Sequence, residues 1–473
     1  MRKTKIVCTM GPNEDNEELL ARMAPIMDAA RFNFSHGSHE EHRERLRKVR
    51  AAAQKAGRPI AAILDTKGPE IRTGTLVHHA SVLLREGAPF CLTAEDIEGD
   101  AARVSVSYKE LPRDVRRGEE ILIDDGLIGL TVESVQGPDI FCTVRNGGVL
   151  GERKGINLPG TQTGLPSLTE QDRKDIAFAI EEDMDYIAAS FIRNASGVED
   201  IRKILREAKS SIKIISKIEC ASAVEHFREI LDASDGIMIA RGDLGVEVDP
   251  KTVPQLQKEM IDACNYAGKP VITATQMLDS MIRNPRPTRA EVTDVATAVN
   301  DNTDAVMLSG ETANGKYPLE ALEMMASIAE YTESFLQHDF FRYRDMDKAI
   351  YDSVANTTCR AAVTAAHELK AGAICAPTDS GATALLLSKY RPDVDVYALS
   401  SFPQTLRQMM LFWGVTPVFD EKQTDTDTLF AHSLSRMKEM GILSEGQLCI
   451  ITAGIGQMGL PHSNTNVMRI MRA

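Results

Sequence analysis

Short apolar runs alternate with helical stretches along much of the chain. Eight of the runs have the length of a β-strand, and they lie at 5–9, 30–34, 60–65, 186–190, 212–218, 237–240, 271–274 and 305–308. Strands that alternate with helices form parallel sheets, and eight such units are what a closed barrel needs. The pattern therefore predicts an α/β fold with a (β/α)8 TIM barrel at its centre.

The interval between the third and fourth runs is too long for a single helix. It carries instead several strand-like runs, which lie at 81–84, 103–106, 121–123, 127–132 and 141–144. Asp125-Gly126 is a favourable hairpin turn between two of them. We therefore expect an inserted all-β domain over 70–156, attached after barrel strand three and beside the active mouth, where it would act as a lid.

The alternation of strands and helices resumes near residue 346. The predicted elements there are one helix and three strands, at 349–369, 373–375, 394–399 and 448–451. This pattern indicates a separate C-terminal α/β domain over 346–473. The barrel domain would then comprise 1–69 and 157–345.

Charged residues stand where two of the predicted barrel strands end. Lys217 and Glu219 close one run, and Arg241 and Asp243 directly follow the next. Charges are out of place in a barrel core but belong at its mouth, where barrel enzymes carry out their chemistry. One lysine beside two hard oxygen ligands, Glu219 and Asp243, suggests a divalent cation such as Mg²⁺ next to a fixed positive charge. The structural alternative is a carboxylate pair neutralised by Lys217 and Arg241.

Six strand ends in all would bring polar groups to the mouth. The residues are Arg31, Asn33, Ser35, Asp65, Thr66, Lys217, Glu219, Gly242, Asp243, Thr275, Ser309 and Glu311. Asn33, Ser35, Asp65 and Thr66 offer a set of oxygens that would suit a weakly hydrated monovalent cation, although the stretch around Asn33 also fits an alternating strand with its polar residues on one face. Just beyond, His36, His39 and His42 recur at helical spacing among Glu and Arg, which predicts a solvated helix face.

Composition narrows the classes of partner. The chain has 473 residues and a formal net charge of −14, so its overall field would not attract nucleic acid or an anionic membrane. Its eight cysteines include no C-x-x-C pair, so neither a zinc site nor a disulfide framework is predicted, and a reducing compartment fits best. With no run of transmembrane length and no signal-peptide layout, we expect a cytoplasmic protein.

Several segments together closely resemble motifs of the pyruvate kinase family. They include Ser216-Lys217-Ile218-Glu219 and Ala240-Arg241-Gly242-Asp243, and the full set lies at 4–12, 30–37, 64–72, 215–219, 239–245, 274–278, 287–292 and 307–312. Their order matches the family, and the similarity runs almost end to end. The resemblance implies transfer of a phosphoryl group from phosphoenolpyruvate to ADP, giving pyruvate and ATP, with Mg²⁺ (or Mn²⁺) and K⁺ as cofactors.

The resemblance also implies roles for individual residues at the reacting centre. Arg31 would hold the phosphate, and Lys217 would stabilise the phosphoryl group in transfer as an electrostatic clamp. The remaining substrate and proton-delivery residues would be Gly242, Asp243 and Thr275 for the substrate, and Thr275, Ser309 and Glu311 for catalysis.

Cofactor and nucleotide residues follow from the same resemblance. Glu219 and Asp243 would bind Mg²⁺, whereas Asn33, Ser35, Asp65 and Thr66 would bind K⁺, and a glutamate at the position of Glu70 goes with K⁺ dependence in this family. Contacts to ADP or ATP would come from Asn33, His36, Arg72 and Lys154.

The chain departs from the usual pattern at Cys220, where Asn is common, and at Asn302, where Gly is common.

The C-terminal domain resembles the regulatory domain of the family. Residues 377–383 join a strand to a helix, where Thr378, Ser380 and Thr383 with the helix N–H groups would bind a phosphorylated effector. An ordinary helix cap is the alternative. The family is usually homotetrameric, and we expect the same here.

Two other functions use part of the same chemistry. A Mg²⁺-dependent barrel lyase that works through an enolate would share Glu219 and Asp243 but would not need Lys67, Arg72 or the lid. A catalytically silent regulatory homologue would be expected to have lost Lys217 or a metal-binding carboxylate, and all three residues are present.

Overall fold

The first three apolar runs form parallel strands in a computed structural model that describes residues 2–336, 353–423, 425–454 and 465–473. These strands and the helices between them are β1 (Lys5–Met10), α1 (Glu17–Met23), β2 (Ala29–Asn33), α2 (His39–Ala56) and β3 (Ala61–Asp65). Helix α2 begins with a capping box formed by Ser38 and Glu41. It ends at Gly57, whose positive φ of 66° lets the chain leave the helix and enter β3.

The insertion that follows β3 is predominantly β-structure with its own core. Its elements are β4 (Ile71–Arg72), β5 (Val82–Leu84), β6 (Pro89–Thr93), β7 (Arg103–Ser105), α3 (Leu111–Asp114), β8 (Glu120–Ile123), β9 (Ile128–Gln136), β10 (Asp139–Asn146), β11 (Gly148–Leu150) and β12 (Gly155–Asn157). Seven strands form one sheet in the order β4-β12-β8-β9-β10-β6-β7, and β11 pairs with β5. All five predicted runs lie in strands, whereas β4, β6, β11 and β12 were not predicted.

The chain then returns to complete the barrel. The elements are α4 (Glu170–Glu181), β13 (Tyr186–Ala189), α5 (Ala195–Glu207), β14 (Lys213–Ile218), α6 (Ala221–Glu225), α7 (Phe227–Ala233), β15 (Gly236–Ala240), α8 (Arg241–Glu247), α9 (Val253–Ala267), β16 (Val271–Ala274), α10 (Arg289–Asn300), β17 (Ala305–Leu308), α11 (Gly310–Ala313) and α12 (Pro318–Glu333). The strands close in the order β1-β17-β16-β15-β14-β13-β3-β2. The predicted (β/α)8 barrel is therefore confirmed.

Asn302, where the family commonly has Gly, has a φ of 69°, a conformation that Asn tolerates better than most residues.

The C-terminal part is a second α/β unit. Its described elements are α13 (Val354–Glu368), β18 (Ala373–Pro377), α14 (Ala382–Lys389), β19 (Val396–Ser400), α15 (Pro403–Gln408), β20 (Val415–Phe419), α16 (Thr426–Glu439), β21 (Leu448–Ala453) and β22 (Val467–Arg472). The sheet order is β20-β19-β18-β21-β22, with β22 antiparallel to β21. The start of the helix predicted from residue 349 lies outside the described residues. Across the described ranges, no helix is both long and apolar enough to span a bilayer.

The C-terminal unit closes the base of the barrel. Met410 and Leu411, in the turn after α15, belong to the same buried cluster as the inward-facing residues of the barrel strands. Tyr186, at the start of β13, donates its hydroxyl to the carbonyl of Gln408 at 2.6 Å. Since the N-terminal ends of the strands form the base, the mouth at the opposite end is left open for a site.

Leu411→Ala should destabilise the protein because the Leu411 side chain is fully buried in the barrel base. Truncating a buried leucine costs roughly 2–5 kcal/mol, so the midpoint of urea denaturation should fall clearly. Leu127→Ala is the control, since that side chain is 66% exposed and its loss should leave the midpoint nearly unchanged. Equal midpoints for the two variants would contradict the burial of Leu411 in the barrel base.

Candidate active site

Lys217 projects its ammonium group into a buried cluster at the C-terminal end of β14. Its Nζ lies 2.7 Å from Glu219 Oε1 and 3.1 Å from Asp65 Oδ1, and it donates to Ser190 Oγ at 2.8 Å. The Lys217 side chain is only 11% exposed. Burial lowers the pKa of Lys217, but the charges of Asp65 and Glu219 outweigh it, so the net pKa lies above its ordinary value. Lys217 is therefore a fixed positive charge.

Arg31 brings a second cation to the same carboxylate. Its Nε donates to Asp65 Oδ2 at 2.5 Å, and its Nη1 donates to Thr9 Oγ1 at 2.9 Å. Burial would raise the pKa of Asp65, but Arg31 and Lys217 together lower it below its ordinary value. Asp65 is thus ionised and holds the two cationic side chains close to one another.

Glu219 and Asp243 have the properties of a divalent-metal pair. Glu219 is buried, with Oε1 at Lys217 and Oε2 accepting from the N–H of Phe191 at 2.7 Å. The pKa of Asp243 is raised to about 7 by burial and by Glu219, against the lowering effect of Lys217. From the residues that the structure describes, no hydrogen bond or ion pair reaches the Asp243 carboxylate.

This donor set fits Mg²⁺ better than a metal that needs several protein ligands. No group of three or more His, Cys, Asp or Glu side chains able to hold a metal occurs in the described part of the chain. Mg²⁺ commonly takes only one or two carboxylates and completes its coordination with water and substrate oxygens. Burial and the charge of Glu219 raise the pKa of Asp243, and a cation beside the two carboxyl groups would favour the ionised form of Asp243.

Arg241 does not neutralise Asp243, so that part of the structural alternative is wrong. Its guanidinium forms two hydrogen bonds with Asp294 of α10, both at 2.7 Å. Its Nη2 also donates to the carbonyl of Thr275 at 2.8 Å. Arg241 is thereby directed towards Asp294 and the backbone of the turn after β16.

Thr275 lies in a strained turn that this arginine supports. Its φ is 68° and that of Gln276 is 54°, a left-handed conformation that β-branched residues rarely adopt. Thr275 Oγ1 accepts from the N–H of Gly242 at 2.7 Å and donates to the carbonyl of Ala274 at 2.6 Å. Backbone strain of this kind is concentrated at functional sites. The two predicted carboxylate-binding groups, Gly242 and Thr275, therefore face each other.

Ser309 and Glu311 lie at the end of β17. Glu311 is buried, and it accepts from the N–H groups of Ser309 at 2.6 Å and Leu278 at 3.1 Å. Burial raises the pKa of Glu311. The Ser309 hydroxyl oxygen is buried and has no hydrogen-bond partner within the described ranges. It remains available for a substrate.

The four residues predicted to bind K⁺ lie along the rim formed by β2 and β3. Asn33 pairs with Asp65 in the register of these strands, and Ser35 donates its N–H to Asn33 Oδ1 at 3.1 Å. Thr66 is fixed by Ser190, whose N–H donates to Thr66 Oγ1 at 3.0 Å and whose hydroxyl donates to the Thr66 carbonyl at 2.6 Å. An all-oxygen set of this kind fits a monovalent cation.

The predicted nucleotide residues are less closely gathered. Arg72 forms two hydrogen bonds with Glu70, at 2.6 and 2.7 Å, and donates to the carbonyl of Arg153. Lys154 pairs with Asp124 at 2.9 Å. His36 is exposed on the barrel side of the mouth. A phosphate that bound Arg72 and Lys154 would compete with these internal acidic partners.

A cleft of about 190 Å³ separates the insertion from the barrel mouth. Glu70 and Ile156 line it from the insertion, and Phe191, Cys220 and Asp243 line it from the barrel. Asp243 thus faces a space that lies between the insertion and the barrel.

The prediction of a solvated histidine face is wrong for His42. Its side chain is 3% exposed and stacks on Phe34, with ring centroids 4.1 Å apart. His39 is partly buried and contacts Asp175 at 2.6 Å, so of the three histidines only His36 is exposed. The sequence did contain a signal for the burial of His42, because this residue lies on the same helical stripe as the apolar Leu46 and Val49.

Sequence reasoning also missed residues that support the site. Ser190 contacts both Lys217 and Thr66, and it ends the fourth predicted strand, which is the same signal that identified the other mouth residues. Thr9, which binds Arg31, likewise lies near the end of the first strand. Asp294 gave no such signal because it lies within α10.

The predicted effector residues are arranged around the start of α14. Thr378 Oγ1 accepts from the N–H of Gly381 at 3.0 Å, as in an ordinary turn. Ser380 is exposed. Thr383 is buried and shares a hydrogen bond with Thr465 at 2.6 Å, so its hydroxyl faces the interior.

A closed (β/α)8 barrel with a buried lysine, paired carboxylates and an inserted β-domain at its mouth is typical of a metal-dependent barrel enzyme that acts on an anionic substrate. The family model for the pyruvate kinase barrel domain matches residues 1–322, and the model for the pyruvate kinase alpha/beta domain matches residues 356–471. The chain belongs to the pyruvate kinase family. This confirms the predicted family and its class of activity, phosphotransfer.

Individual relatives agree over nearly the full length. A pyruvate kinase of Clostridium acetobutylicum is 46% identical over 461 residues, covering 96% of each chain. One of Staphylococcus epidermidis is 46% identical over 476 residues, covering 99% of this chain and 80% of its own. A crystal structure of a pyruvate kinase from Cryptosporidium parvum superposes with a TM-score of 0.92 at 39% identity, covering 100% of this chain and 96% of the other.

Arg241→Lys should lower kcat/KM for the phosphoryl donor by roughly 10- to 100-fold, because a lysine cannot bond Asp294 bidentately and also hold the Thr275 carbonyl. Steady-state kinetics would measure the change. Arg202→Lys is the matched control. Arg202 forms an ion pair with Asp235 at 2.6 Å, and this pair does not lie at the mouth. An equal loss of kcat/KM in both variants would contradict the inference that Arg241 specifically supports the Thr275 turn.

Proposed function

We propose that the chain transfers the phosphoryl group of phosphoenolpyruvate to ADP, releasing pyruvate and ATP. The position of Lys217 carries this proposal. It is a permanently charged ammonium held between Asp65 and Glu219 in a barrel mouth, with Arg31 alongside. Such a lysine cannot serve as a nucleophile, but it stabilises negative charge on a phosphoryl group in transfer.

The substrate would be oriented by groups that are already directed towards one point. Arg31 would hold the phosphate, and the Gly242 N–H and Thr275 hydroxyl would hold the carboxylate. These two groups now bond each other at 2.7 Å, and a carboxylate would replace that internal bond with two of its own. The strained turn keeps both donors in place, which limits the reorganisation needed on binding.

In the proposed step, the bond between phosphorus and the enolate oxygen breaks as a bond forms to a terminal phosphate oxygen of ADP. The enolate then takes up one proton at its methylene carbon and becomes pyruvate. Ser309 and Glu311 would help deliver that proton. The Ser309 hydroxyl has no competing partner in the described structure, and Glu311 is held by two backbone N–H groups.

Mg²⁺ (or Mn²⁺) would be held by Glu219 and Asp243, and K⁺ by Asn33, Ser35, Asp65 and Thr66. Bound there, the cations supply positive charge that neutralises substrate oxygens. ADP would contact Arg72 and Lys154 from the insertion and His36 and Asn33 from the barrel, across the cleft. Glu70, which holds Arg72, would thereby link the K⁺ requirement to the nucleotide side.

Several wider features are part of the same proposal. The barrel domain would span 1–69 and 157–345, the lid 70–156 and the regulatory domain 346–473. The protein would act in the cytoplasm as a homotetramer, without nucleic-acid or membrane partners. A phosphorylated effector would bind at Thr378 and Ser380; Thr383 would contribute through its backbone, since its hydroxyl is buried.

An assay coupled to lactate dehydrogenase, with phosphoenolpyruvate, ADP and Mg²⁺, tests the proposed reaction. We expect pyruvate to form only when ADP is present, and faster with K⁺. Pyruvate formation that does not depend on ADP would mean that water takes the phosphoryl group, and no pyruvate under any condition would indicate a lyase with another substrate or a silent homologue. Either outcome would contradict the proposed transfer.

Lys217→Ala should reduce kcat by on the order of 10³-fold or more, because the fixed charge on the transferring group is lost. Binding of phosphoenolpyruvate, followed by equilibrium titration, should be largely spared because Arg31 and Thr275 remain. Lys213→Ala is the matched control, since that lysine lies at the start of the same strand with a half-exposed side chain. A normal kcat for Lys217→Ala would refute the clamp role.

Replacing Thr378 and Ser380 together by Ala should blunt activation by sugar phosphates, since two hydroxyls at the start of α14 are lost. Activation curves measured at low phosphoenolpyruvate would report the change. Thr364→Ala, on α13 of the same unit, should respond like the parent protein. If the double variant also responds normally, the effector binds elsewhere.

A further inference from the structure

His42 lies directly beneath the turn that carries two of the proposed K⁺ ligands. Its Nε2 donates to the carbonyl of His36 at 2.8 Å. Its ring stacks on Phe34, with an interplanar angle of 16°, and meets Phe32 edge-on at 6.2 Å. A single side chain on α2 therefore contacts both the backbone and the aromatic anchor of the turn.

Other contacts also hold the turn between β2 and α2. Phe34 donates its N–H to the carbonyl of Asp65 at 3.0 Å and packs its ring against Phe178. At the other end of the turn, Ser38 is joined to α2 through its capping box. The bond from His42 to the carbonyl of His36 lies between these attachments and ties the middle of the turn to the helix layer.

An ordinary core histidine does not explain this arrangement well. The second ring nitrogen of His42, Nδ1, is buried without a hydrogen-bond partner in the described structure. An unsatisfied buried polar atom costs free energy that an apolar side chain of similar size would avoid. Burial also lowers the pKa of His42, so the ring is a neutral donor at neutral pH. Compared with an apolar side chain of similar size, the His42 imidazole adds one interaction, which is the hydrogen bond to the turn.

We propose that His42 is a positioning residue for the K⁺ site, because it fixes the turn that presents the Asn33 amide and the Ser35 hydroxyl. This inference rests on the proposed K⁺ site. A cation bound by several oxygens depends on their spacing, so a looser turn weakens binding without removing any ligand.

Two substitutions separate the contacts. His42→Phe keeps the stacking on Phe34 but loses the hydrogen bond, whereas His42→Gln keeps a donor but loses the stacking. Each should raise the half-saturating K⁺ concentration about 3- to 10-fold, the effect of one lost hydrogen bond or ring contact. The kcat at saturating K⁺ should stay within about twofold of the parent value, since no group that touches the substrate changes.

Two independent readouts are needed. The first is the K⁺ dependence of the coupled assay, with tetramethylammonium chloride holding ionic strength constant. The second is the rise in Tm with K⁺ in the absence of substrates, which reports binding alone. Val49→Ala, a buried change further along α2, is the control: it should lower Tm at every K⁺ concentration without shifting the half-saturating concentration.

The outcomes are distinguishable. A parent protein with no K⁺ response in either readout would overturn the proposed K⁺ site and this inference with it. A parent that responds to K⁺, with His42 variants that only lose Tm as Val49→Ala does, would overturn the positioning role alone. A shifted K⁺ dependence in both readouts for either folded His42 variant would support it.

Discussion

The barrel mouth depends on the mutual compensation of buried charges. Arg31 and Lys217 are neutralised by Asp65 and Glu219, and none of these four side chains could be buried alone without a large desolvation cost. They come from three strands that are distant in sequence, so the cluster exists only when the barrel is closed. Asp243 is a further carboxyl group beyond this balance, and its pKa is raised by burial and then by the charge of Glu219. A divalent cation bound there would offset both effects.

Strand β13 connects this cluster with the opposite end of the barrel. Its first residue, Tyr186, bonds Gln408 of the C-terminal unit, and Ser190, just beyond its end, bonds Lys217. Arg407 also pairs with Asp185 at 2.8 Å, directly before the strand. The C-terminal unit and Lys217 therefore contact opposite ends of the same barrel strand.

The barrel was predictable from sequence because its strands are buried on both faces and appear as continuous apolar runs. Strands β4 and β12 were missed because β4 has only two residues and the single apolar residue of β12, Ile156, stands between Gly155 and Asn157. Strand β20 contains Pro417, and β22 has Arg at every third position at the sheet edge, so neither resembles a buried parallel strand.

For the site, position at a strand end identified most mouth residues but could not identify their partners. Arg241 was considered a neutraliser of Asp243 because the two are close in sequence, whereas its partner Asp294 lies in α10 and is brought near only by packing. For His42, the surrounding charges outweighed the apolar stripe that includes Leu46 and Val49. Charge composition describes a helix as a whole, but packing against the barrel decides the environment of each face.

The outer helices help to set the geometry of the mouth. The turn with Thr275 has a backbone conformation that is unfavourable in isolation, and it is held through Arg241 by Asp294 on α10. The turn after β2 is held in a similar way by His42 on α2. In both cases a residue of an outer helix stabilises a loop of the mouth and need not touch the substrate. The strands thus place the charges, whereas the helices fix the loops between them, and both layers are needed for ligands to meet groups that are already oriented.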